Sequence, residues 1–410
     1  MDPFNVLIGP NASGKSNFLD VLLFIKDMIT SEDGVMGAVQ RRAPDLSHLV
    51  WMMEDVGEGF EFVIEYDLPE EYRVRSRDKQ GKERLYDRIK YMLKVGTGEY
   101  GPAPVREHLY LVESSSVSDS PPKRSLFPTL LPDRPLLDTT KKKVRTPSGH
   151  RLVARRLEYG PRVYMRSELS PKPFNITLDI SPLKSVLSVL LEDERRFRTS
   201  LWFRNVLRNS LLFIHLNVEK MRRPTPPNAP ITFQPDGSNL PTVLLDLKKN
   251  HKQRFLWYVS HVSATLKDVE DIEIHRRPED NFLYIVLRYR YGLKAPSWVL
   301  SDGTLRFLAL SAIPFLPPQN RIFLIEEPEN GIHPRAVSSL LEVLKTASDN
   351  QILIATHSPL ILRQMQPEDI LVFRKTREGA TDIVRGTDHP ALREWREEVS
   401  LDKLVVSGVL

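Results

Sequence analysis

Gly9-Pro10-Asn11-Ala12-Ser13-Gly14-Lys15-Ser16 satisfies every fixed position of the pattern G-x-x-x-x-G-K-[S/T]. The segment before it, Phe4-Asn5-Val6-Leu7-Ile8, is a short apolar run ending at a glycine and reads as a buried strand. The segment after it, Asn17 to Ile29, spaces Phe18, Leu19, Leu22, Leu23, Ile25 and Ile29 at helical intervals. Strand, glycine loop and helix, in that order, is the context the pattern needs. The glycines let the backbone curl so that successive N–H groups point inward at phosphate oxygens. The helix start adds its partial positive charge. Lys15 is placed to reach β- and γ-phosphates, and the Ser16 hydroxyl to ligate Mg²⁺. Gly9, Asn11, Ala12, Ser13, Gly14, Lys15, Ser16 and Asn17 are therefore candidate nucleotide-binding residues. A chain of this length carries the pattern by accident in roughly one case in a hundred, and the flanks lower that further.

The 410 residues suggest two or three structural units, or one large domain with an insertion. Hydrophobic residues are 41% and charged residues 27%, enough to build a core. No apolar run has the length of a membrane span, so no membrane partner is expected. The chain starts almost directly on the first strand, which leaves no room for a signal peptide. Cysteine is absent, which excludes disulfides and cysteine-held zinc or iron–sulfur clusters and fits a reducing cytoplasm. The formal charge of +5 permits contact with nucleic acid without demonstrating it.

Along the chain, residues 31–59 are polar and irregular in pattern. Phe60 to Tyr66, Glu71 to Arg77, Leu85 to Val95, His108 to Val112 and Arg151 to Tyr159 read as strands. Residues 113–149, with their serine and proline clusters and Lys141-Lys142-Lys143, read as a loop. Residues 182–209 read as a helix and Leu211 to Leu216 as a strand. Helices follow at 240–247 and 253–268, and strands at Ile272 to Ile274 and Phe282 to Tyr289. Then come helix 303–316, strand Arg321 to Ile325, helix 334–346, strand Gln351 to Ala355, a short helix from Pro359 to Met365, and strand Ile370 to Phe373. No internal repeat or sustained heptad pattern is present.

Further motifs bear on the chemistry. Leu300-Ser301-Asp302-Gly303-Thr304 opens a helix. Ser301 or Asp302 could simply cap it. The same arrangement makes an anion site, because a small hydroxyl and a glycine expose backbone N–H groups. Ile322-Phe323-Leu324-Ile325-Glu326-Glu327 ends a buried strand in two adjacent carboxylates. Alternation predicts that they diverge, one toward Mg²⁺ and one toward the attacking water. Ile352-Leu353-Ile354-Ala355-Thr356-His357-Ser358-Pro359 sets a histidine past a second core strand, where it is a candidate to hydrogen-bond a γ-phosphate or the catalytic water, or a structural histidine, the commoner meaning of a lone one. Gln40 lies between the first helix and the next strand and is a candidate contact to Mg²⁺ or water, or a solvated loop residue.

Taken together, residues 9–17, 300–304, 326–334 (Glu-Glu-Pro-Glu-Asn-Gly-Ile-His-Pro) and 356–359 resemble the SMC/RecF-like branch of the ABC-type ATPases. They are most similar to the bacterial AAA family ATPases of OLD-like and other anti-phage systems. The resemblance covers roughly 1–70 and 205–375 and says little about 71–200. It implies ATP and Mg²⁺ as ligands, with Lys15 and Ser16 holding phosphate and metal. Glu326 takes the Walker B metal-side role, Glu327 the general-base role and His357 the switch-histidine role. Ser301 and Gly303 form a signature that contacts the γ-phosphate bound to the opposite protomer, so two ATP molecules lie between two head-to-tail copies. The sequence departs from that group in carrying Glu326 where aspartate is usual. It also begins at Met1-Asp2-Pro3, where that group normally carries an extra strand ahead of the one leading into the phosphate loop, so either the start is late or that piece is missing. Only about fifty residues follow His357, too few for a Toprim nuclease domain.

The expected fold is α/β: a P-loop NTPase of the ABC head type, a mixed sheet flanked by helices, with a β-rich and proline-rich insertion. The expected boundaries are 1–70 and 201–375 for the two halves of the head, 71–200 for the insertion and 376–410 for a C-terminal tail. The expected activity is hydrolysis of ATP to ADP and phosphate in a homodimer that controls a separately encoded effector such as a nuclease, in bacterial defence. One rival is a RecF-like ATPase that binds DNA, and another a scaffold that holds ATP without hydrolysing it.

Overall fold

A computed structural model describes residues 3–50, 59–77, 83–114, 146–156, 160–169, 174–318, 320–347, 350–389 and 392. Most of the loop expected at 113–149, including the charge run at 141–143, lies outside these residues. In chain order the elements are β1 (Phe4–Ile8), α1 (Lys15–Thr30), α2 (Gly34–Gln40), β2 (Phe60–Asp67), β3 (Val74–Arg77), β4 (Glu83–Tyr86), β5 (Arg88–Gly98), β6 (Gly101–Val112), β7 (His150–Arg156), β8 (Arg162–Arg166), β9 (Asn175–Asp179), α3 (Glu194–Asn205), β10 (Leu211–Ile214), α4 (Val218–Arg222), α5 (Leu240–Asn250), α6 (Lys252–Thr265), β11 (Val269–Arg276), β12 (Leu283–Tyr289), β13 (Lys294–Pro296), α7 (Asp302–Ala312), β14 (Ile322–Glu326), α8 (Pro334–Leu344), β15 (Gln351–Ala355), α9 (Pro359–Leu362), β16 (Ile370–Lys375) and β17 (Thr381–Arg385). They fall into two compact units, Met1–Leu19 with Ser210–Leu410, and Asp20–Asn209.

The first unit is built on a six-stranded sheet in the order β10-β14-β15-β1-β16-β17. The first five strands are mutually parallel, and β17 is antiparallel to β16. Parallel strands covered on both faces read as unbroken apolar runs, and β1, β14 and β15 do so because nearly every residue in them is buried. This is the mixed P-loop α/β fold expected. The sheet extends past β16, because the stretch read as a C-terminal tail contributes β17. A small antiparallel sheet, β11-β12-β13, belongs to the same unit. The short elements α4 and β13 were not foreseen.

The second unit carries a six-stranded antiparallel sheet, β2-β5-β6-β7-β8-β9, with β3 and β4 pairing separately. Strands β8 and β9 and helix α2 were not expected. In α2 the two glycines masked a buried face made by Val35, Ala38 and Val39. The single strand expected from Leu85 to Val95 breaks at Asp87 into β4 and β5.

The larger correction concerns residues 182–193, expected to be helical and found in turns. Val186, Leu187 and Leu190 are buried as their spacing required, but side chains satisfy the backbone there. The Val186 N–H donates to Glu107 Oε1 at 2.8 Å, and Arg156 donates to the Lys184 carbonyl. With those groups already paired, a helical ladder gains little. Among the described residues no helix is long and apolar enough to cross a membrane.

Candidate functional site

Register places the site. Leu7 of β1 pairs with Ala355 of β15, and Ala355 pairs with Glu326 of β14. These three residues form one row across adjacent parallel strands, which lie roughly 5 Å apart. Just past that row the chain becomes the phosphate loop, the Glu326-Glu327 step and the Thr356-His357 step. Ligands of open α/β sheets bind at this carboxyl edge.

The phosphate loop is held by the strands beside it. Gly9 has φ +150° and is buried so tightly that a Cβ would stand 2.2 Å from the Phe373 carbonyl oxygen. Gly14 has φ +100°, and a Cβ there would stand 2.5 Å from Thr381 Oγ1. Ala12, at φ +60°, completes the left-handed curl. Ser13 is buried and its N–H donates to the Pro10 carbonyl at 3.2 Å, while Asn11, Ala12, Ser16 and Asn17 are exposed. The Lys15 ammonium donates to the carbonyls of Gly9 (2.8 Å) and Pro10 (2.9 Å). Partial burial lowers its pKa, opposed by the nearby charges of Glu327 and then Glu326. Lysine and carboxylates thus share one electrostatic neighbourhood.

Glu326 is the half-buried last residue of β14. Glu327 extends the ladder by one bond, its N–H to the Ala355 carbonyl at 2.8 Å, and then turns the chain with φ +45°. A non-glycine residue in that region costs about 1–2 kcal/mol, and such strain gathers at functional sites. The turn aims the Glu327 carboxylate at two partners. Oε1 lies 2.9 Å from His357 Nδ1, and Oε2 accepts from Asn330 Nδ2 at 2.6 Å. Both catalytic candidates remain accessible, with side chains 39% exposed for Glu327 and 56% for His357.

Ser301 is the N-cap of α7, and its Oγ accepts from the Thr304 N–H at 3.2 Å, so the capping role foreseen is real. Ser301 and Asp302 are also exposed. Gly303 has a local reason to be glycine, since a Cβ would stand 2.2 Å from the Gly331 carbonyl oxygen. Arg222 braces the segment, donating to the Leu300 carbonyl at 3.0 Å and pairing with Asp302. Gln40 is the exposed last residue of α2, in the other compact unit.

No group of three or more His, Asp or Glu side chains suited to a metal occurs among the described residues. Mg²⁺ takes one or two hard protein oxygens and completes its shell with water and phosphate; Ser16 and Glu326 offer a hydroxyl and a carboxylate.

Over residues 4–363 the sequence matches the family described as "AAA domain, putative AbiEii toxin, Type IV TA system". The chain belongs to this AAA family. No curated protein matches it. Among solved structures it is similar to an SMC head bound to the C-terminal winged-helix domain of ScpA, with 12% identity, 93% of this chain and 89% of that chain covered and a TM-score of 0.41. It is also similar to a Pyrococcus furiosus SMC head with an extended coiled coil, bound to the C-terminal domain of ScpA (12%, 99% and 93%, 0.40), and to the Thermotoga maritima SMC head (11%, 94% and 90%, 0.34). Strand order and membership of the AAA family carry the fold.

Two residues of this AAA chain that bear on the site were missed in the sequence. Thr381 of β17 donates its hydroxyl to the Ser13 carbonyl at 2.9 Å and so buttresses the phosphate loop. The alternation in Thr381-Asp382-Ile383-Val384-Arg385 is the signal that could have found it. Arg222 lies far from the signature in sequence, and no local pattern marks it.

Proposed function

We propose that the protein binds ATP with Mg²⁺ and hydrolyses it to ADP and phosphate, in a pair of heads that complete each other's sites. Lys15 and the backbone N–H groups of residues 9–17 hold the phosphates, and Ser16 and Glu326 hold the metal. Bound Mg²⁺ supplies positive charge against the β- and γ-phosphate oxygens. Glu327 accepts the proton of the attacking water, with His357 fixing the orientation of its carboxylate. Ser301 and the N–H groups that open α7 face the γ-phosphate held by the other copy. Membership of the AAA family supports the ATPase class, and the exposure of Ser301 supports its use in trans.

The observation that carries this reading is the 2.9 Å contact between Glu327 Oε1 and His357 Nδ1, beside a lysine that feels both carboxylates. We place the activity in the cytoplasm, in an OLD-like defence setting where the dimer controls a separately encoded effector. The family's description, which mentions a toxin and a type IV TA system, is compatible with such a partner.

The test is phosphate release by the purified chain. Wild type turns over, and Glu327→Gln retains ATP while losing turnover. A wild type as inert as Glu327→Gln, with ATP bound to both, leaves only the scaffold reading.

A further inference from the structure

Glu329 is a third carboxylate in the turn after β14, and the hydrolysis just described does not use it. Its Oε1 accepts the Thr356 hydroxyl at 2.6 Å. Its Oε2 is buried and has no hydrogen-bond partner among the described residues. An unpaired buried oxygen costs about 1–3 kcal/mol, so this carboxylate is poorly explained by stability alone.

Thr356, in turn, is buried and fully engaged. Its N–H donates to the Leu7 carbonyl at 3.2 Å, its hydroxyl donates to Glu329, and its Oγ1 accepts the Ser358 N–H at 2.9 Å. His357 is the residue between those two pinned neighbours. Its side chain is exposed, and its Nδ1 meets Glu327 Oε1 at 2.9 Å. The position of the imidazole therefore depends on its main chain, which is held on one side by the Thr356 N–H and on the other by the Thr356 hydroxyl that joins Ser358 to Glu329. Glu329 is joined to the same turn as Glu327, because the Ile332 N–H donates to the Glu329 carbonyl and the Asn330 N–H to the Glu327 carbonyl.

We propose that Glu329 is a positioning residue: acting through Thr356, it ties the turn after β14 to the turn after β15 and so sets the meeting of His357 with Glu327. As a statement about turnover this rests on the hydrolytic reading above. As a statement about where the imidazole sits it does not.

The experiment uses the full chain and four variants, Glu329→Ala, Glu329→Gln, Thr356→Val and Thr356→Ser, with steady-state turnover, ATP binding and the ¹⁵N resonances of the His357 ring as readouts. Glutamine keeps an acceptor for the Thr356 hydroxyl, and serine keeps the donor. Loss of the tie is expected to lower kcat by about ten- to a hundredfold, the scale of an ångström misplacement. KM and ATP affinity stay within about twofold of wild type. The His357 resonances move in Glu329→Ala and Thr356→Val, and both conservative variants restore kcat and resonances. Unchanged kcat, or His357 resonances that stay at wild-type positions in both disruptive variants, overturns the proposal. So does Glu329→Gln failing as badly as Glu329→Ala. Should Glu329→Ala not fold, Thr356→Val carries the same test. Should wild type show no turnover, the hydrolytic reading fails and the ring resonances alone decide the tie.

Discussion

Gly303→Ala separates two reasons for a glycine in the signature. Glycine to alanine inside a helix ordinarily stabilises by about 1 kcal/mol. Here the added Cβ would stand 2.2 Å from the Gly331 carbonyl oxygen, more than an ångström inside ordinary contact, and the opposing atom is main chain. Overpacking costs about 1–3 kcal/mol, and a clash with rigid main chain belongs to the upper part of that range, about 2–3 kcal/mol, so the net effect is a destabilisation of about 1–2 kcal/mol. In a unit of this size that lowers the melting temperature by roughly 2–8 °C. The Gly331 turn must retreat, and it is tied back to Glu327 through the Asn330 N–H, so kcat falls as well. Gly331→Ala is the control. Its φ is +76° and its Cβ would meet only the Arg306 side chain at 3.6 Å, so it pays only backbone strain of about 1–2 kcal/mol. Thermal melts and phosphate release on the same preparations give the result. A Gly303→Ala protein that melts at or above the wild-type temperature refutes the packing argument, and Gly303 is then conformationally free for another role.

Thr381→Val removes the hydroxyl that holds the Ser13 carbonyl while keeping the side chain's shape. One neutral hydrogen bond is worth about 0.5–1.5 kcal/mol, so calorimetric ATP affinity is expected to weaken about three- to tenfold with kcat little changed; unaltered affinity means that β17 does not support the loop. A second prediction concerns acid stability. Burial, aided by Arg106 and Arg155, pushes the His108 imidazole down to about 4 from 6.5. The folded state keeps it neutral while the unfolded chain protonates first, so its contribution is intact above pH 6.5 and is lost as the pH falls toward 4. By pH 5 the loss is about 2 kcal/mol. His108→Gln is expected to flatten the melting temperature between pH 7 and 5; an equal slope in both proteins contradicts this.

The parts of the fold legible in the sequence are those where one local pattern and one packing role coincide. β1, β14 and β15 are short, largely apolar runs because each has a parallel neighbour on both sides, and the candidate site residues follow directly after them or end them. The placement of the candidate site was legible to the same depth: Lys15, Glu326, Glu327 and His357 follow from strand ends, and β1–β15–β14 register brings those ends into one row. What stayed hidden depends on distant partners. The 182–193 stretch has helical spacing, yet Glu107 and Arg156 take the backbone groups a helix would use. Thr381 and Arg222 act on loops remote in sequence. The left-handed φ at Glu327 and its contact with His357 belong to the turn after β14, which strand alternation does not describe.

The central claim is that each copy supplies Ser301 to the other's triphosphate, and a mixing experiment tests it most directly. Lys15→Ala removes a phosphate-loop contact and Ser301→Arg blocks a signature; each protein alone is expected to be inactive. In an equal mixture half the pairs are mixed, and each mixed pair holds one site with an intact loop and an intact signature. The account predicts recovery of about a quarter of wild-type turnover on mixing. Silence in the mixture, with both proteins folded and ATP bound to Ser301→Arg, or full activity of Ser301→Arg by itself, would contradict it.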